Sequence, residues 1–220
     1  MTHCSQLLNP NFPTVDVNDT VGFALATSGA NLNDFLAVLD SGSYQGLVPL
    51  EVLEDAEPQT SIGTLSASFL KPLVRSSDHM LQALRVRSKF FVDVVPVVNE
   101  KNEWEGAVDT GLLLSALTQL TGAASTGSLL VLEMPRHEFA LGLINRLVES
   151  NDAMILHLNT LLDEHTGVLQ VVIRINKEDI SDIVATFQRH EFHVLYYYGE
   201  ESYDNQIQKN LDHLLNYLSI

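Results

Sequence analysis

At 220 residues the chain has room for one large domain or two small ones, and its 45% hydrophobic content is enough for packed cores, which excludes global disorder. A net charge of −16, from 28 acidic and 12 basic residues, argues against nucleic acid and anionic membrane surfaces as partners. No apolar run approaches the roughly 18 residues of a membrane span, residues 1–4 do not open a signal peptide, and the single cysteine, Cys4, fits a reducing cytoplasm and rules out an internal disulfide framework.

Residues 1–12 read as a polar lead-in, with His3 and Cys4 in a mobile terminus. A unit then occurs twice. The first copy runs Thr14-Val15-Asp16-Val17, Asp19-Thr20-Val21, Ala24-Leu25, the run 35–40, and Tyr44-Gln45-Gly46-Leu47-Val48. The second runs Pro72-Leu73-Val74-Arg75, Asp78-His79-Met80, Ala83-Leu84, the run 94–99, and Trp104-Glu105-Gly106-Ala107-Val108. Early landmarks are offset by 59 residues and late ones by 60, so the turn of the second copy gains a residue. Each copy predicts a short extended segment, a helix with Asp19 or Asp78 at its N-cap, two strands around a small or polar turn, and a further helix at 50–55 or 112–120. The stretch 57–71, with Pro58 and Gly63, joins the copies. Arg85, Arg87 and Lys89 form the only basic cluster, at a predicted helix C-terminus, where they complement the helix dipole or meet a phosphate.

Residues 122–127, small and with two glycines, make the best linker. Beyond it the spacing predicts a strand at 128–133, a helix at 138–150 with Ala140, Ile144, Leu147 and Val148 on one face, and an extended 153–162. A turn at 163–167 leads to a strand at 168–175 whose Leu169, Val171, Ile173 and Ile175 share a face. Asn176 is placed to cap a helix with the stripe Ile180, Ile183, Val184 and Phe187, and 192–198 is the last strand. The order βαββαβ predicts a ferredoxin-like antiparallel sheet with both helices on one face. Ile207, Leu211, Leu214, Leu215 and Leu218 form the stripe of a C-terminal amphipathic helix, to be buried against its own domain or another subunit.

Motifs of chemistry are sparse. No nucleophile elbow, phosphate-cradling glycine loop or dinucleotide fingerprint is present. His190 and His193 lack the further ligands a metal site needs, so they read as solvated or turn-stabilising side chains. Tyr196 and Tyr198 share one strand face with Tyr197 on the other, which reads as sheet packing. The expectation is a protein that is not an enzyme.

The repeat resembles a tandem pair of cystathionine-β-synthase (CBS) domains, a Bateman module, over residues 13–122, with copies at about 13–56 and 72–122. The resemblance rests on Asp19-Thr20-Val21-x-x-Ala24-Leu25, on Val95-Pro96-Val97-Val98-Asn99, and on Gly46-Leu47-Val48 and Gly106-Ala107-Val108. Residues 128–199 resemble an ACT domain, most strongly over 143–149 leading into Ala153-Met154-Ile155. Together they resemble small bacterial proteins that join the two. The expected fold class is α+β: a tandem CBS pair, a ferredoxin-like ACT-like domain, and a C-terminal helix at 203–220. The resemblance implies a ligand-sensing regulatory homodimer, with an adenine nucleotide (AMP, ADP or ATP) or S-adenosylmethionine between the CBS copies, or an amino acid at an ACT interface.

Family members that bind nucleotides carry Thr or Ser after the Gly-x-x strand and Asp three residues later; those slots hold Pro49 and Val52 in one copy, Asp109 and Leu112 in the other. Pro49, Pro96, Asp109 and Thr110 are therefore the candidate cleft residues. Asp109 is suited to a ribose hydroxyl or, preferably, to capping the helix that opens at Thr110. The glycine turn of ACT domains is replaced by Met134-Pro135-Arg136-His137, which makes Arg136 and His137 the candidates there, Arg136 for a carboxylate. The alternative is a dimeric interaction scaffold with degenerate ligand sites.

Overall fold

The computed structural model describes residues 3–28 and 34–199; the predicted C-terminal helix at 203–220 lies outside them. The chain divides at Leu117/Thr118 into two compact units. In the first, β1 (Thr14–Asp16), α1 (Val21–Ser28), β2 (Phe35–Asp40), β3 (Ser43–Pro49) and α2 (Leu50–Glu54) make one copy. The second copy is β4 (Val74–Arg75), α3 (Met80–Phe90), β5 (Val94–Val98), β6 (Trp104–Asp109) and α4 (Thr110–Leu120). Each has a three-stranded sheet, ordered β1-β2-β3 or β4-β5-β6, parallel at the first pair and antiparallel at the second. The β-rich, fully buried Val94–Val98 occupies a centre strand, as continuous apolar runs do.

The copies meet as a reciprocal pair. Tyr44 N–H donates to the Asn102 carbonyl at 3.0 Å, and Trp104 N–H donates to the Gly42 carbonyl at 3.0 Å. The Tyr44 and Trp104 rings stack with centroids 6.0 Å apart. Phe12, Ala37, Tyr44 and Leu47 join Val95, Val97, Val108 and Leu113 in one core, while Val21, Leu36, Val48 and Leu53 form a smaller one in the first copy.

The segment preceding each copy crosses to the other. Asn9 exchanges two backbone hydrogen bonds with Ala107, at 2.7 and 3.1 Å, and Leu70 does the same with Leu47, at 2.8 and 2.9 Å. The lead-in is therefore not a mobile terminus over its described part: Cys4 N–H donates to the Asp78 carbonyl at 2.8 Å, and the Cys4 side chain is fully buried. Burial first, and Asp78 second, push its thiol from 9.0 up to about 11. Because the folded state then holds this proton more tightly than the unfolded chain, Cys4 contributes fully below pH about 9, and its contribution falls by about 2–3 kcal/mol as pH rises through about 11. Denaturant titrations across that range should show a larger loss in the native protein than in Cys4→Ala, the remainder coming from the buried Tyr44 hydroxyl, also raised by burial.

Three caps differ from expectation. The Asp19 and Asp78 carboxylates turn back and accept from Asp16 N–H and Arg75 N–H, each at 2.8 Å. The helices start one residue later, with Thr20 Oγ1 accepting from Phe23 N–H and His79 Nδ1 from Leu81 N–H, both at 3.3 Å. Asn176 does not cap either; its side chain accepts from Met154 N–H at 2.7 Å.

The second unit holds β7 (Ser128–Pro135), α5 (Leu141–Glu149), β8 (Ile155–Leu162), β9 (Val168–Ile175), α6 (Ser181–Arg189) and β10 (His193–Tyr198). Its antiparallel sheet has the order β10-β7-β9-β8. The strict alternation of β9 buries Leu169, Val171, Ile173 and Ile175, which pack with Ile144, Val148, Ile183 and Phe187 of the two helices. Helix α5 begins at Leu141 because Arg136–Glu138 forms a separate 3-10 turn, leaving Ala140 exposed.

Candidate functional site

Two equivalent turns carry most of the candidate residues of the first unit. Each joins the last strand of a copy to its second helix. The Leu50 N–H donates to the Asp34 carbonyl at 2.9 Å, and the Thr110 N–H to the Asp93 carbonyl at 3.0 Å. Pro49 takes the cap position of α2, half-buried and without a side-chain hydrogen bond. Asp109 occupies the matching place in the second copy, and its Oδ1 accepts from Leu112 N–H at 2.8 Å. That is the geometry of a helix N-cap. Val52 and Leu112, in the slots where a ribose-holding carboxylate would stand, are packed against the two cores.

Thr110 belongs to a network that spacing alone does not reveal. Its hydroxyl donates to the Asp93 carbonyl at 2.9 Å and accepts from Arg87 Nε at 2.9 Å. Arg87 Nη2 also pairs with the Asp93 carboxylate at 2.9 Å. The side chain that the sequence offers for a helix dipole or a phosphate is thus engaged at the entrance of α4, with 35% of its surface exposed. Lys89, two residues further on, lies 5.4 Å from the centre of the Phe90 ring.

Pro96 has an internal task. It is buried in the centre strand, opposite Ala107. In the first copy the corresponding Ala37 donates its N–H to the Pro13 carbonyl at 3.2 Å. Proline has no N–H to give, and the parallel pairing of β4 with β5 is one residue pair shorter than that of β1 with β2. The Pro72 carbonyl accepts instead from Tyr44 Oη of the other copy, at 2.9 Å. Burial raises the Tyr44 hydroxyl well above its ordinary value, which keeps the donor protonated.

In the second unit, Arg136 and His137 stand exposed on the 3-10 turn, and His137 Nε2 lies 3.8 Å from Glu138 Oε1. A groove of about 380 Å³ opens nearby, lined by Glu133, Leu161, Leu162, Asp163, Val168 and Gln170. Glu133 is paired with His193 at 3.3 Å, and Asp163 is held below the usual carboxylate range by the N–H of His165. Tyr196 and Tyr198 stack on one another at 6.4 Å, yet remain half exposed. Among the described residues no group of three or more His, Cys, Asp or Glu is placed to hold a metal ion, and no helix is long and apolar enough to cross a membrane.

No protein-family model matches the chain, and no curated protein matches it. Solved structures that resemble it are CBS domain pair proteins, over about half of the chain. A CBS domain pair/ACT domain protein from Thermotoga maritima is 23% identical, with a TM-score of 0.49 over 54% of this chain and 98% of that one. The CBS domains of a transcriptional regulator from Streptococcus pneumoniae are 20% identical, with a TM-score of 0.48 over 52% and 98%. The cytosolic domain of the Mg2+ channel MgtE, in complex with ATP, is 22% identical, with a TM-score of 0.47 over 52% of this chain and 48% of that one.

Proposed function

We propose that this chain is a cytoplasmic, non-enzymatic regulator, active as a homodimer. Its first unit acts as a CBS pair that takes an adenine nucleotide between the copies, and residues 128–199 act as an ACT-like partner domain. The observation that carries the reading is the reciprocal, two-fold packing of the copies, which brings two equivalent strand-to-helix turns into one compact unit. The second of these turns sets Arg87 beside Thr110 at the start of α4, where a ligand phosphate would have to displace the Asp93 carboxylate from the guanidinium. A regulator of this kind works by binding its ligand more tightly in one of two states.

Calorimetric and thermal-shift titrations with AMP, ADP, ATP and S-adenosylmethionine test it. Saturable binding of one of them is the expected result; indifference to all four sinks the nucleotide reading. Asp109→Ala separates the two uses of that carboxylate. As an N-cap alone, its loss costs about 1 kcal/mol of stability and leaves the nucleotide Kd unchanged. A tenfold or larger loss of affinity would instead assign Asp109 to the ligand.

A second reading, a dimeric scaffold with degenerate sites, is favoured by one specific observation: the partly buried Val52 and Leu112 pack against the cores where a ribose-binding carboxylate would be needed. A stable dimer with no response to any metabolite would support it.

A further inference from the structure

An exposed strand edge offers unpaired N–H and C=O groups to any other strand, and folds blunt such edges with short strands, covering segments or bulges. The sheets of this chain use all three. Strands β1 and β4 are three and two residues long. Leu70 covers the outer edge of β3 at Leu47, and Asn9 covers that of β6 at Ala107. Strand β10 is interrupted by a bulge between Val194 and Tyr196. Strand β8 is the exception. It is an edge strand of eight residues, without Pro, Asp, Glu, Lys or Arg, and among the described residues nothing pairs with its outer side. From His157 to Leu162 its register with β9 is unbroken. Leu161 and Leu162 are 53% and 40% exposed.

The ladder assigns the free groups. Asp163 N–H donates to the Val168 carbonyl at 2.9 Å. Antiparallel pairing alternates, so residues 157, 159 and 161 bond inward to β9, and the N–H and C=O of Leu158, Thr160 and Leu162 point outward. We propose that β8 pairs antiparallel with β8 of a second copy about a two-fold axis at Thr160, joining two four-stranded sheets into one. Only that axis sets all three outward residues against each other: Thr160 faces its own counterpart, and Leu158 faces Leu162. The same register places Asn159 opposite Leu161 and, at each end, the His157 imidazole opposite the Asp163 carboxylate. Threonine pairs, apolar pairs and opposite-charge pairs across strands each stabilise a sheet. Each copy carries −16, and an edge free of acidic residues is where two copies approach at least electrostatic cost. Leu161 and Asp163 also line the groove of about 380 Å³, so the second copy supplies its Asn159 and His157 to the outer wall of that groove. The inference rests on the homodimer proposed above and names its contact.

Cysteine cross-linking of the full-length protein tests the register. Cys4 is buried, so a cysteine introduced into β8 is the reactive thiol. Under mild oxidation of dilute protein, Thr160→Cys should form an intermolecular disulfide about tenfold faster, or more, than Asn159→Cys or Leu161→Cys alone. The two copies of either of those residues would lie about 8 Å apart, beyond disulfide reach. Mixing these two variants should restore fast linkage, since 159 and 161 face one another. Thr160→Lys, a change that a solvent-facing edge tolerates, should raise the dimer Kd about tenfold or more in sedimentation, with hydrogen exchange at β7 showing the sheet intact. A dimer that cross-links equally at all three positions, or whose Kd is unaltered in Thr160→Lys, overturns this interface and leaves the homodimer standing. A monomer at every concentration overturns both.

Discussion

Gly106→Ala should lower the stability of the first unit by about 2–4 kcal/mol. The cause is a close approach made by the crossing lead-in. Gly106 has φ +148, and a Cβ there would stand 2.9 Å from the Asn9 carbonyl oxygen. Backbone in that region is essentially reserved for glycine, at about 1–3 kcal/mol for any other residue. The added overlap is with backbone, not with a side chain that could swing away. Relieving it means pulling Asn9 off Ala107, and with it the two hydrogen bonds that tie the lead-in to the opposite copy. Gly46 stands in the same relation to Leu70, at 2.8 Å, so Gly46→Ala should behave alike. Trp104, the only tryptophan, lies 6.3 Å from Phe12 of the lead-in, and its emission follows this unit during thermal unfolding. A melting point lowered by about 10 °C is expected. Gly142→Ala is the control, since nothing lies within 4 Å of its new Cβ. An unaltered transition in Gly106→Ala would mean that the lead-in does not hold the copies together.

These glycines mark how far the sequence could be read. The offset of 59 and 60 residues exposed the duplication, and each predicted strand of both copies is present, because periodicity and burial obey the same geometry. The alternation of 168–175 likewise gave β9 and its buried face. What stayed hidden depended on partners distant in the chain. Asn9 pairs with Ala107 almost a hundred residues away, and nothing in a polar lead-in announces such a strap. Asp19, Asp78 and Asn176 were plausible caps, but short polar side chains at a strand-to-helix junction satisfy N–H groups on either side equally well. Here all three turn away from the helix that follows. At the candidate site the balance was similar. The capping role of Asp109 follows from its place before Thr110, whereas the engagement of Arg87 with Asp93 and Thr110 joins three elements that spacing does not bring together.

Tyr44→Phe should cost about 1–3 kcal/mol, the penalty of leaving a buried carbonyl without a donor. The phenyl ring keeps its stack on Trp104, so the loss isolates the hydroxyl. Its partner, the Pro72 carbonyl, is buried and has no strand N–H to fall back on, because Pro96 stands where the first copy has Ala37. This predicts a specific rescue. Pro96→Ala supplies an N–H in the position from which Ala37 donates to Pro13. In the Tyr44→Phe background the substitution should recover most of the lost stability, whereas in the native background it should change little, since the carbonyl is already satisfied. The double-mutant cycle should therefore give a coupling of about 1 kcal/mol or more. Strict additivity would mean that the Pro72 carbonyl finds another donor. A positive result has a meaning beyond stability. The two copies would be shown to have diverged in a compensated way, a proline entering one sheet while a tyrosine of the other reaches across to replace the missing donor. The hydrogen bond that closes the second sheet then comes from the first copy, and any ligand that separates the copies must break it.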